Sequence, residues 1–351
     1  MSPGRPAGLR PGWLAAGVVT VLVAMVFGLA FGTVSLPPGG VAMEMINLLP
    51  EVQVDSGLSD REVAILTELR LPRVVLGLLV GGMLALAGAA YQGAFRNPLA
   101  DPHLIGVASG AGLGVTVAIV LGAGAGEGMT GLPVGVPAAA FVGAVGAVAL
   151  TWVLGAAGGR NRSPATLILA GVAVSAFLSA AQTFLLQRHV ESLREVYSWL
   201  LGRLSTAGWH DVRMILPYAV ITGAIVLAQR RELDVLTVGD AEATSLGLHP
   251  QRSRYLLILA ASLGTAAAVS VSGLIGFVGL IVPHTLRLVV GPGNRALLPL
   301  SVLFGAAFLA LTDLLARTAG GDAEIPIGVI TAFLGAPFFV LLLRTSKTEP
   351  T

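Results

Sequence analysis

The chain has 351 residues, 55% of them hydrophobic and only 11% charged, with a formal net charge of +2. Soluble globular proteins carry about 25% charged residues, so this composition cannot cover a water-facing surface and excludes that class. The pI is near 9.4, but the arginines lie in short loops between apolar blocks, a pattern that orients a membrane protein rather than binding nucleic acid. Cysteine is absent, which removes disulfides and thiolate metal sites.

Blocks of roughly 18 or more apolar residues are long enough to cross a bilayer as helices. The first, "WLAAGVVTVLVAMVFGLAFGTVSL" behind Arg5 and Arg10, has an apolar core longer than the roughly 7–15 residues of a secretory signal, so it reads as a retained span. Ten spans are expected, at about 13–34, 72–95, 103–123, 133–156, 164–187, 212–229, 253–271, 274–291, 296–317 and 326–344. The fold class is therefore an all-α polytopic membrane protein, a single transmembrane domain over residues 1–351. Ten crossings put both termini on one side, and the surplus of Arg in the segments on that side predicts that it is cytoplasmic.

Between the first two spans, residues 35–71 form an acidic, proline-flanked segment on the outer side. "RNPLADP" after the second span predicts a proline-stiffened inner turn. "GVASGAGLG" comes next and invites comparison with a phosphate loop. A Walker loop needs Gly-Lys-Ser/Thr, and the one lysine, Lys347, has no glycine loop before it. Gly106, Gly110 and Gly114 are each four residues apart and would share a helix face, allowing close approach of a neighbouring backbone.

Residues 230–252 form an inner segment in which "GDAEATSLGL" predicts a short helix, with Asp240 able to cap its start and Gly247 able to end it. "GLIVPH" in the eighth span suggests a kink or break at Pro283. Gly88, Pro98 and Gly106 recur at identical spacing as Gly273, Pro283 and Gly291, and two sets of five spans would be oppositely oriented, as in an inverted repeat. Asp313 is the one carboxylate deep in an apolar block, where a charge costs roughly 2.5–3.5 kcal/mol on insertion scales. A local pair with Arg317 is its simplest explanation, and a proton relay in an ion-coupled secondary transporter is the alternative. The five histidines are scattered without metal-ligand spacing, and no catalytic constellation is present.

Longer stretches carry more specific information. "LRLPRVVLGLLVGGMLALAGAAYQGAFRNPLADPHLIGVASGAG", "LILAGVAVSAF", "VYSWLLGRL", "GDAEATSLGL", "SGLIGFVGLIVPHTLRL" and "AEIPIGVITAFLGAPFFVLLL" occur in order from Leu69 to Leu343. Together they resemble the FecCD family, permease subunits of type II ATP-binding-cassette importers in the bacterial cytoplasmic membrane. The resemblance implies ten helices per subunit and a second permease copy, identical or related. It also implies two cytoplasmic ATPase subunits carrying ATP and Mg, and an external binding protein delivering ferric siderophore, haem or cobalamin. Ferric siderophore is the leading expectation, as the broadest branch.

The resemblance also implies roles for individual residues. Arg70, Arg73 and Arg317 fall at positions resembling those that dock the binding protein. Gly239, Asp240, Glu242, Ala243, Leu246, Gly247 and Leu248 match the segment that couples to the ATPase. Ser163 and Thr166, in "NRSPATL", lie where the family has its cytoplasmic gate.

Overall fold

The computed structural model describes residues 9–32, 34–47, 49, 52–122, 135–156, 164–321 and 323–345. These residues form helices and connecting turns, with no strand among them. In chain order the helices are α1 (Pro11–Ala30), α2 (Pro38–Asn47), α3 (Asp60–Ala64), α4 (Leu71–Ala94), α5 (Val107–Val120), α6 (Val136–Ala156), α7 (Pro164–Arg188) and α8 (Leu193–Leu200). They continue as α9 (Trp209–Ala228), α10 (Arg230–Leu236), α11 (Asp240–Ser245), α12 (Pro250–Ser272), α13 (Val278–Val290), α14 (Asn294–Thr318) and α15 (Ile327–Thr345). Among the described residues seven are long and apolar enough to cross a membrane, and α5, α13 and α15 are shorter apolar helices, ten in all, the number expected. The crossings alternate, so α1 starts and α15 ends at the same end of the bundle, the proximal end; the opposite end is distal.

Burial sorts the helices. The apolar window of the segment ending in α4 is 83% buried and that of α12 is 72% buried, against 28% for α1 and 22% for α7 and α9. Helices α4 and α12 are therefore the two central posts, and α1, α7 and α9 face outward. Small residues set the spacing. Gly88 of α4 lies so close to the backbone of Gly279 in α13 that no β-carbon fits, and Gly110 of α5 meets Gly143 of α6 in the same way. Such contacts are how apolar helices associate in lipid, where water supplies no drive. Where α4 and α12 cross, the Tyr91 hydroxyl and the Ser262 hydroxyl are hydrogen-bonded at 2.6 Å.

Each central post begins a similar run. Helix α4 is followed by a broken stretch, the short α5, then α6 and α7; α12 is followed by a broken stretch, the short α13, then α14 and α15. With 14 and 13 residues, α5 and α13 are about 20 Å long. That is short of a hydrocarbon core of about 30 Å, so irregular backbone completes both crossings. The two breaks meet inside the bundle, where a ring nitrogen of His103 lies 3.3 Å from the Ile275 carbonyl. Non-helical backbone is tolerated at that depth because it is enclosed by protein. The 5+5 repeat thus resides in the order of the helices. The Gly88/Gly273 and Pro98/Pro283 echo does not mark it, because Gly88 is mid-helix whereas Gly273 turns the chain with φ of 71°, and Pro98 is in a turn whereas Pro283 is inside α13.

Two local expectations are corrected. The eighth span is not broken at Pro283: α13 runs continuously through it, and the break lies at residues 273–277. Proline cannot bond the carbonyl four residues back, and the carbonyl freed in this way, that of Gly279, accepts a 3.0 Å bond from Gln92 Nε2. Gly106 does not share a helical face with Gly110 and Gly114. It starts α5 with φ of 90°, a left-handed conformation open to glycine. The outer segment carries helices of its own. Ser59 and Glu62 form a capping box that starts α3, and a π-helical turn at Ile65–Arg70 carries the same helix straight into α4. That turn leads into Pro72 and sets Arg70 and Arg73 facing the bundle.

Candidate docking and coupling sites

At the distal end, four elements bring Arg70, Arg73, Arg317, Asp313 and Glu324 together. Asp313 on α14 is almost fully buried. It accepts from Arg73 Nη2 at 2.8 Å and Nε at 3.1 Å, and its Oδ2 lies 3.0 Å from Arg317 Nε. Arg73 also donates Nη1 and Nη2 to the two oxygens of Glu324, each at 2.9 Å. The local pairing of Asp313 with Arg317 is thus present, and the Asp313 oxygens are occupied by guanidinium donors.

Arg70 and Arg317 do something else. Helix α1 ends at Ala30 with carbonyls that have no partner in their own helix. Arg70 donates to Leu29 O at 2.7 Å, to Ala30 O at 3.1 Å and to Val34 O, while Arg317 donates to Gly28 O at 2.9 Å and Phe31 O at 3.3 Å. Both side chains are buried, 7% and 8% exposed. They clamp the end of α1, and positive charge suits the negative pole of a helix dipole there. Of the three arginines, Arg73 is the one that lines an open cleft, a space of about 400 Å³ bounded also by Arg194, Tyr197, Arg203 and Glu324.

At the proximal end, α10 and α11 form the helix pair expected from residues 230–252. Asp240 does not cap α11, which has no side-chain cap at Gly239. It instead receives Arg254 Nη2 at 2.8 Å and Arg96 Nη2 at 3.0 Å. The Arg254 hydrogen bond holds the Asp240 carboxyl below the usual carboxylate range. Arg254 Nε donates onward to Ala94 O at the end of α4, 2.8 Å away. Asp234 of α10 accepts from the backbone and side-chain nitrogens of Asn294, both at 2.8 Å. The helix pair is therefore tied to α4, α12 and α14, the interior of the bundle. Gly247 ends α11 as expected, with φ of 84° and Leu248 N donating to Ala243 O at 3.0 Å.

The seven coupling candidates divide by direction. Ala243 is fully buried and Leu248 packs against the core. Leu246, 69% exposed, and Val238, 56% exposed, project outward beside Asp240, Glu242 and Gly247. Val238 was not singled out from the sequence, nor were Glu324 and Gln92; each is identified by a partner or a surface direction that spacing does not encode. Of the two gate candidates, Thr166 lies in the first turn of α7, half-buried. Ser163 lies outside the described residues.

Comparison with known proteins completes the assignment. A profile of the FecCD transport family matches residues 20–345. The chain is 43% identical over 311 residues to the cobalamin import system permease BtuC of Halobacterium salinarum, covering 89% of this chain and 82% of that protein. It is 39% identical over 280 residues to the Fe(3+) dicitrate permease FecD of Escherichia coli, covering 80% of this chain and 85% of that one. It is 36% identical over 326 residues to the hemin permease HmuU of Yersinia pestis, covering 90% and 94% respectively. A solved structure of an ABC transporter assigned to the metal-chelate type, in an inward-facing conformation, superposes with a TM-score of 0.81 at 32% identity. That match covers 96% of this chain and 100% of the other. A buried polar scaffold with one exposed apolar tip at the proximal end and an arginine-lined cleft at the distal end thus sits within a helical bundle that superposes on that transporter, and the chain belongs to the FecCD transport family.

Proposed function

We propose that this permease pairs with a second copy and with two ATPase subunits that carry ATP and Mg, and moves a metal chelate inward from an external binding protein. A ferric siderophore is the leading cargo, with the iron-citrate relatives in support; the hemin and cobalamin relatives favour a second reading in which haem or cobalamin is carried. The carrying observation is the α10–α11 pair. It presents Leu246 and Val238 outward while Asp240 and Arg254 tie it to α12 and the end of α4, and Asp234 ties it to α14. A push on this pair is transmitted to α4 and α12 rather than absorbed by a flexible loop. The proximal end is then cytoplasmic and the distal end faces the binding protein.

Docking of that protein involves Arg70, Arg73 and Arg317, with a division of labour. Arg73 offers charge directly, exchanging Glu324 for a carboxylate of the partner, and Arg70 and Arg317 hold α1 in place beneath it. Charge pairs of this kind govern steering and orientation more than raw affinity. Ser163 and Thr166 form the gate at the cytoplasmic end. The second copy packs along the apolar groove of about 910 Å³ between α8 and α15, lined by Leu200, Leu274, Phe333 and Pro337 among others. The test is uptake by the assembled transporter in proteoliposomes. ATP-dependent, gradient-independent accumulation of a chelate is expected. Uptake that persists without ATP and tracks a proton gradient would instead establish a secondary transporter.

A further inference from the structure

The distal cleft holds more positive charge than its acids balance. Arg73 and Arg317 are matched by Asp313 and Glu324. Arg194 and Arg203 line the same cleft, are exposed, and have no acidic or hydrogen-bonding side-chain partner among the described residues. Tyr197, Ser198 and Ser205 add hydroxyls to its wall. A concave space of about 400 Å³ with a few convergent polar groups is the usual form of a small-ligand site.

The position of Arg203 is fixed by the backbone rather than by a loose loop. Arg203 N donates to Ser272 O at 2.9 Å, where α12 breaks, and Gly328 N at the start of α15 donates to Leu201 O at 3.0 Å. Between them, Gly202 turns with φ of 75°. Leu201 lines both this cleft and the apolar groove against α15, so the two spaces adjoin. Arg203 thus stands beside the groove, on backbone pinned to the break between α12 and α13, and Arg194 faces the same cleft from α8.

We propose that Arg194 and Arg203 receive a carboxylate of the cargo as it leaves the binding protein, so that the permease favours metal chelates bearing free carboxylates. The inference rests on the permease reading and narrows it. Planar guanidinium forks match carboxylates bidentately. Ferric citrate and haem, with its two propionates, offer carboxylates, whereas the side chains of cobalamin end in amides.

The assembled transporter in proteoliposomes is given radiolabelled ferric citrate, hemin and cobalamin in parallel. Wild type is expected to take up a carboxylate-bearing cargo. Arg194→Gln with Arg203→Gln is expected to lower its kcat/KM about tenfold or more, about the effect of one lost charged contact. Arg194→Lys with Arg203→Lys keeps the charge but loses the planar fork, and is expected to fall between wild type and the glutamine pair. Arg213→Gln, on an exposed arginine that bonds the Trp209 carbonyl of its own helix, changes nothing. Single variants of Arg194 and Arg203 give the same reading should the pair fail to assemble. Affinity for the empty binding protein is measured alongside. An equal fall there assigns the carboxylate to the binding protein and overturns the proposal. Uptake confined to cobalamin, or carboxylate cargo carried equally by the glutamine variants, overturns it as well. Loss of ATP dependence in wild type is a different failure, that of the permease reading itself.

Discussion

Replacing Asp313 by Asn tests the distal charge cluster most directly. The carboxylate is 2% exposed and meets Arg73 at 2.8 Å and Arg317 at 3.0 Å. Removing one partner of a buried ion pair typically costs about 3–5 kcal/mol, because the remaining charge is stranded. Here Arg73 keeps both of its bonds to Glu324, so Arg317 is the group left without a counter-charge, and it still donates to Gly28 and Phe31. The loss therefore falls at the lower end, about 3 kcal/mol, more than a hundredfold in the folding equilibrium. Denaturant titration of the solubilised permease measures it, together with Arg317→Gln and the double variant. Residues that share a buried pair couple by about 0.5–3 kcal/mol, so the double variant should lose well under the sum of the singles. Additivity to within about 0.5 kcal/mol, or an Asn variant as stable as wild type, would refute the ion-pair account of Asp313.

The same geometry gives three further expected outcomes. Leu246→Glu sits on an exposed tip, so it should leave stability within about 0.5 kcal/mol while lowering ATP-dependent uptake about tenfold or more; intact uptake with normal ATPase recruitment would exclude Leu246 as a coupling contact. Gly88→Val forces a side chain into the Gly279 backbone and should destabilise by at least the roughly 1–3 kcal/mol of ordinary overpacking, read as a lower melting temperature. The Asp240 carboxyl is held below its ordinary value of 3.8 by Arg254, so its contribution to stability is complete above that value and is lost only as pH falls through its lower folded value. Wild type and Asp240→Asn should therefore differ in stability by a constant amount from about pH 5 to 8 and converge in stronger acid, and a difference that changes near neutrality would contradict the assignment.

The membrane spans were legible because apolar length is a one-dimensional property: the expected limits fall within a few residues of the helices, even for the short α5 and α13, whose broken flanks are themselves apolar. The site of the second break was not legible. Pro283 is a proper helix-breaking signal, and the group that neutralises it is a side chain distant in sequence, Gln92, whose bond to Gly279 spans 187 positions. The inward face of the π-helical turn was equally hidden, because one extra residue per turn rotates the start of α4 by an amount that no spacing rule displays. Charges were legible in kind but not in use. Arg70 and Arg73 look alike in "LRLPR", yet one serves carbonyls of α1 and the other carboxylates of α14 and the loop beyond it. Asp240 likewise stands where a cap is expected, and Arg254 and Arg96, each approachable only in the folded bundle, claim it first.

The clamp on α1 also has a consequence for how the protein is made. Arg317 and the Phe31 carbonyl it holds are 286 residues apart. Helix α1 leaves the ribosome first, but the second of its two guanidinium fasteners is synthesised only when α14 is nearly complete. Until then the Gly28 and Phe31 carbonyls lack the donor that Arg317 gives them in the folded bundle. Closure of that last pair of bonds ties the first helix to the ninth crossing, so the bundle cannot reach its final arrangement before almost the whole chain has entered the bilayer.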